Sequence, residues 1–162
     1  MMKSRTLALS LLVLASLPAV AAEKFDYKSM AKQQAGNYAA EKLNLPTAAT
    51  AGAKVYFPTL KDGDTVSSPV IVVFGLTAMG IAPAGTQLEG TGHHHLLIDD
   101  PTVDYTLPLP MTDQIKHFGK GQTEAALTLK PGKHTLQLVF GDWKHQSFNP
   151  SVQSEKISIT VK

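Results

Sequence analysis

The chain has 162 residues, with 15 Lys+Arg, 13 Asp+Glu, six histidines and no cysteine. That length suits one domain with its own hydrophobic core. The missing thiol excludes disulfides, thiol nucleophiles and thiolate metal sites. Arg5 is the only arginine, so the rest of the chain lacks the planar fork that grips phosphate in two places. Nucleic acid is therefore not an expected partner.

Residues 1–22 read as a secretory signal peptide. Lys3 and Arg5 form a positive start, Leu7 to Leu17 an apolar stretch, and Ala19-Val20-Ala21-Ala22 a small-residue cleavage pattern. The apolar stretch is shorter than the roughly 20 residues of a spanning helix, so no retained transmembrane segment is expected. Cleavage after Ala21 or Ala22 takes away two of the 15 basic residues and leaves 13 against 13 acidic ones. The expected location is the periplasm, and the expected partner a periplasmic or envelope protein.

Residues 23–52 differ in composition from the rest of the mature chain. The stretch from Phe25 to Leu43 is rich in Ala, Lys and Gln and reads as a weak helix, interrupted by Gly36 and Asn37. Pro46 to Gly52 reads as a flexible linker.

From residue 53 to 162 the pattern is that of short strands. Expected strands lie at Lys54–Phe57, Val70–Phe74, His93–Asp99, Tyr105–Leu109, Thr123–Leu129, His134–Phe140 and Lys156–Val161, separated by Gly, Pro and Asp turn signals. The predicted fold class is all-β, an immunoglobulin-like β-sandwich of about seven strands, with a small barrel as the alternative.

In such a sandwich alternate connections gather at opposite ends. His93, His94 and His95, which open the third strand, then share one end with His117 and His145 in two of the connecting loops. His134 falls at the other end and reads as structural. Along a strand His93, His95 and Leu97 point one way, and His94, Leu96 and Ile98 the other. His93 and His95 thus form a two-point chelate, with His145 and His117 as the candidate further ligands. His94 is expected to cap the core. Met79, Met111 and Asp142 belong to the same set of loops, and thioether beside imidazole suits copper.

Other constellations carry less. Gly119-Lys120-Gly121-Gln122 lacks the spacing and the helix of a phosphate loop and reads as a tight turn. Ser147, His93 and Asp142 can be written as a triad, but no nucleophile elbow supports it. Trp143 and Phe148 are read as folding over the sandwich edge.

The segments Gly90-Thr91-Gly92-His93-His94-His95-Leu96-Leu97-Ile98-Asp99, His117-Phe118-Gly119-Lys120-Gly121-Gln122-Thr123-Glu124 and Pro131-Gly132-Lys133-His134-Thr135-Leu136-Gln137-Leu138 together resemble a bacterial family of small exported proteins, a domain of unknown function. The resemblance covers roughly Ala53 to Lys162 and implies an exported domain without naming an activity. That family usually has a histidine-rich loop after Gly-Asp; here Gly141-Asp142-Trp143-Lys144-His145 keeps one histidine.

The expected function is a binding module, not an enzyme, that holds a copper or zinc ion, copper before zinc. The alternatives are a protein- or glycan-interaction module without metal and, third, a metal-dependent hydrolase built on three histidines with an open position.

Overall fold

The computed structural model describes residues 26–43 and 45–162; the signal peptide read at 1–22 lies outside them. One helix, α1 (Tyr27–Lys42), comes first. Asp26 caps it, its carboxylate accepting the backbone N–H groups of Lys28 at 3.0 Å and Ser29 at 3.3 Å. None of the described helices is long and apolar enough to cross a membrane.

The strands come in the order β1 (Lys54–Tyr56), β2 (Thr65–Val66), β3 (Val70–Val73), β4 (Gly75–Thr77), β5 (Gly80–Ile81), β6 (Thr91–Ile98), β7 (Ile115–Phe118), β8 (Glu124–Leu127), β9 (Gly132–Gly141), β10 (Ser147–Gln153) and β11 (Ile157–Val161). The large sheet runs β2-β11-β9-β6-β5, with β10 also paired to β9 and β7 also paired to β6. Two small sheets, β1-β4 and β3-β8, make the opposing layer. The fold is a β-sandwich, as the sequence predicts, and not a barrel.

Its main core lies between the layers. Leu96 and Ile98 of β6 and Leu136, Leu138 and Phe140 of β9 meet Val55 of β1, Val70 and Val72 of β3 and Leu127 of β8. A second, smaller cluster of Leu97, Leu109, Ile115 and Val139, with Val103 and Tyr105 against it, covers the outer face of the large sheet. Strand β6 is therefore apolar on both faces. This explains why Gly92 to Ile98 are buried without interruption rather than alternately.

Three local expectations are corrected. Tyr105–Leu109 is not a strand, although Tyr105, Leu107 and Leu109 alternate. Pro108 and Pro110 remove ladder donors, and Asp104 turns the chain by accepting both the N–H and the hydroxyl of Thr106. His117 lies on β7 rather than in a loop. The stretch after His145 forms β10, whose bulge around Asn149-Pro150 interrupts its pairing with β9 and disguises it in the sequence.

Part of the leader is hydrogen-bonded onto the sandwich. Ala48 forms a parallel bridge with Asn149. The N–H of Asn149 donates to the Thr47 carbonyl at 2.8 Å, and the N–H of Ala49 to the Asn149 carbonyl at 3.1 Å.

His134 is structural, at the end away from the other histidines. Its Nδ1 is 3.0 Å from both carboxylate oxygens of Asp99, and its Nε2 is 2.9 Å from the Lys130 carbonyl. Burial pulls its pKa down, but the Lys130 carbonyl and Asp99 outweigh that and raise it. The stability this adds is full below the unfolded value of about 6.5 and is lost as pH rises through the raised value.

Candidate metal centre

Strand β6 delivers two imidazoles to one place. It pairs with β9, placing His93 opposite Gly141 and His95 opposite Val139. On its other side it pairs with β7, placing His95 opposite His117. Directly opposite residues share a face, so His93, His95 and His117 all stand on the outer face of the large sheet. They continue the row that Leu97 and Ile115 begin. The fourth ring, His145, comes from the turn that joins β9 to β10.

The ring centroids of His93 and His95 are 4.8 Å apart, those of His93 and His117 4.9 Å, and those of His93 and His145 5.0 Å. His117 lies 4.7 Å from His145 and 5.1 Å from His95, and the longest separation, His95 to His145, is 6.1 Å. His93, His95 and His117 each offer a ring nitrogen within 4.8 Å of the other two, a group that can hold a metal ion. All four histidines singled out as ligand candidates in the sequence are thus neighbours.

Two glycines make this crowding possible. A Cβ on Gly119 would lie 2.2 Å from Cε1 and 2.3 Å from Nε2 of His117, and a Cβ on Gly141 would lie 2.8 Å from Cε1 of His95. A side chain at either position would push an imidazole out of the cluster. Gly119 is therefore required by a ring, rather than by a phosphate or by the turn alone.

The turn carrying His145 is pinned by Asp142, which is fully buried. One Asp142 carboxylate oxygen accepts the backbone N–H groups of Lys144 at 2.8 Å and Gln146 at 3.0 Å. The other accepts the hydroxyl of Thr47 at 2.6 Å. His145 has a positive φ of 67°; its own N–H donates to the Asp142 carbonyl at 2.9 Å, and its carbonyl accepts from Leu109 at 2.8 Å. Thr47 sits in the stretch read from sequence as linker, and nothing in the sequence marks it.

The electrostatics of His93, His95 and His117 are those of neutral imidazoles. His93, His94 and His95 have no exposed surface. Burial, with help from His117, His145 and His94, lowers the pKa of His93 to about 4. Burial, and then repulsion from His93, His117, His145 and His94, lowers His95 to about 2. Burial and His145 lower His117 too. A neutral imidazole keeps the lone pair that a metal needs.

Both ring nitrogens of His93 and of His95, and Nε2 of His117, are buried without a hydrogen-bond partner. Each buried polar group left unpaired costs about 1–3 kcal/mol, and protein interiors rarely carry several side by side. A cation bound among these lone pairs would relieve that cost. The donor set therefore fits a metal.

His94 is on the opposite face and belongs to the core, as expected. Its ring packs 5.1 Å from Phe74 and 5.0 Å from Phe140. Both its nitrogens lack a partner, and burial lowers its pKa to about 4. Replacing an unpaired polar group by an apolar one of similar size is neutral to stabilising. His94→Leu is therefore expected to raise stability at pH 7 by about 1–3 kcal/mol in denaturant titrations while leaving metal binding unchanged. A loss of stability of that size would show that His94 satisfies its nitrogens.

The thioethers do not join the site as expected: Met111 is 71 % exposed, and Met79 packs against the main core. The Ser147–His93–Asp142 triad also dissolves. Ser147 Oγ shares a 2.6 Å hydrogen bond with Ser151 Oγ, and the Asp142 carboxylate is engaged by Thr47 and the turn. Phe148 is core, and Trp143 is half-buried beside Lys144, whose Nζ lies 5.5 Å from the centre of its ring.

No curated protein and no solved structure matches the chain. The family model described as a domain of unknown function, DUF4399, matches residues 72–162, which hold β6, β7, the His145 turn and all but the first strands of the sandwich. The chain belongs to the DUF4399 family.

Proposed function

We propose that this protein binds one transition-metal ion, copper before zinc, through His93, His95, His117 and His145, and holds it for a partner in the periplasm or envelope. The observation that carries the reading is the set of buried imidazole nitrogens of His93, His95 and His117 without partners, gathered from two strands onto one face, with the His145 ring beside them. Copper is favoured because an all-imidazole donor set suits it and accepts it in either oxidation state. The export reading rests on the first 22 residues of the sequence.

Burial argues for holding rather than turnover. His93 and His95 are fully covered, while His117 and His145 are only half-buried, so solvent meets the cluster at those two rings. An ion can enter or leave past them, but a substrate has no room beside His93 and His95. Full burial also removes these two from contact with a protein or glycan surface, which disfavours the interaction module.

Titration of the untagged mature chain with Cu(I), Cu(II) and Zn(II) tests the proposal. One equivalent of metal is expected to bind the wild type, and His93→Ala/His95→Ala is expected to lose about 100-fold or more in affinity. Equal binding by the wild type and the double variant would overturn the reading.

A further inference from the structure

The six distances among the four rings define a shape. Five of them fall between 4.7 and 5.1 Å, and only His95 to His145 is longer, at 6.1 Å. Four points at the corners of a square have two diagonals about 1.4 times the side, so a square-planar set calls for two long distances of roughly 7 Å. Four points on a tetrahedron have six equal distances. The ring centres of His93, His95, His117 and His145 stand close to a tetrahedron, and their planes are tilted against one another by 36° to 81°.

That arrangement discriminates between ions. Cu(II) prefers tetragonal or square-planar nitrogen sets, whereas ions with a filled d shell, Cu(I) and Zn(II), accept four ligands on a tetrahedron.

Charge separates the last two. Among the described residues, the ligand atoms that converge within 4.8 Å are nitrogens of His93, His95 and His117, with the His145 ring beside them, and no carboxylate joins them. Asp142, the acid in the His145 turn, has committed its oxygens to Thr47, Lys144 and Gln146. A bound ion thus keeps its full formal charge among neutral ligands, two of which are completely buried and continue an apolar cluster. The cost of taking an ion out of water grows with the square of its charge. The penalty for a dication is about four times that for a monocation, with no anionic ligand to offset it.

We infer that the site is built for copper in its monovalent state, holding Cu(I) in preference to both Cu(II) and Zn(II). The inference rests on the proposed metal-binding function and specifies which ion that site takes. It also gives the chain a chemical place: copper arrives and leaves reduced, so the donor or acceptor must itself handle Cu(I).

The test is anaerobic competition of the full mature chain against colour-forming chelators of known affinity for Cu(I), Cu(II) and Zn(II). One Cu(I) per chain is expected, bound about tenfold or more tightly than either dication. A preference below about tenfold, or a dication bound more tightly, would overturn the inference while leaving a metal site in place. Failure of all three ions to bind, or binding unchanged in His93→Ala/His95→Ala, would overturn the metal reading itself.

A second variant guards against misfolding. His145→Asn keeps a residue that tolerates the positive φ of the turn and removes one corner of the tetrahedron. Its circular dichroism is expected to match the wild type and its Cu(I) affinity to fall by about tenfold or more. An unchanged Cu(I) affinity would overturn the four-imidazole site.

Discussion

Metal-free protein is expected to lose its fold on mild acidification, between pH 6.5 and about 4, well above the range in which carboxylate protonation usually unfolds a domain. In the unfolded chain each imidazole binds a proton with a pKa near 6.5. In the folded chain His93 and His94 resist protonation down to about pH 4, and His95 down to about 2, burial being the largest cause in each. Between those values the unfolded state holds more protons, so stability rises with pH. It is complete above pH 6.5 and drains away as the pH falls. A group moved from 6.5 to about 4 contributes on the order of 3 kcal/mol, and His93 and His94 together approach the 5–15 kcal/mol total of an ordinary domain. Fluorescence of Trp143 and circular dichroism across pH 7 to 4 would follow the transition. Loading with metal is expected to move it to lower pH, because a ligated nitrogen must release the ion before it takes a proton. His94→Leu is expected to remove part of the acid sensitivity without touching the metal. A metal-free protein as stable at pH 4.5 as at pH 7 would mean that these rings are not buried and unpaired.

The second large effect belongs to a residue that touches no metal. Asp142→Ala removes the acceptor for the N–H groups of Lys144 and Gln146 and for the Thr47 hydroxyl. Leaving such donors unpaired is expected to cost roughly 2–4 kcal/mol of stability. It also frees the turn that presents His145, so metal affinity is expected to fall about 10–100-fold, the range for lost outer-shell support. Thr47→Val removes only one of the three hydrogen bonds and is expected to cost about 1 kcal/mol. Denaturant titration and chelator competition on the same preparations separate the two effects. Asp142→Ala with wild-type metal affinity would show that the pinned turn does not position a ligand.

The candidate site is more legible in the sequence than the fold that builds it. The alternation of His93 and His95 against His94 follows from the two-residue period of any strand, whatever its neighbours. His117 and His145 join them by a count of the reversals of chain direction. That count survives even though Tyr105–Leu109 is a proline-broken loop, because β7 takes its place as the antiparallel neighbour of β6. The depth of the site is not legible. A histidine triplet looks polar, yet all three rings are fully buried: His94 packs against Phe74 and Phe140 in the core, and the loop bearing Leu109 folds over the outer face that His93 and His95 share. Nor can spacing reveal Gly119, Gly141 or Thr47. The first two matter through the volume a ring needs, and the third through a contact with Asp142, 95 residues along the chain.

The most direct test of the central claim is a crystal structure of the chain loaded with Cu(I), with anomalous diffraction recorded at the copper edge. The expected result is one copper peak on the outer face of the large sheet, with a nitrogen of each of His93, His95, His117 and His145 at roughly 2.0–2.1 Å, the usual metal–imidazole distance. A peak on other residues, or the four rings in place around no ion at saturating copper, would contradict it.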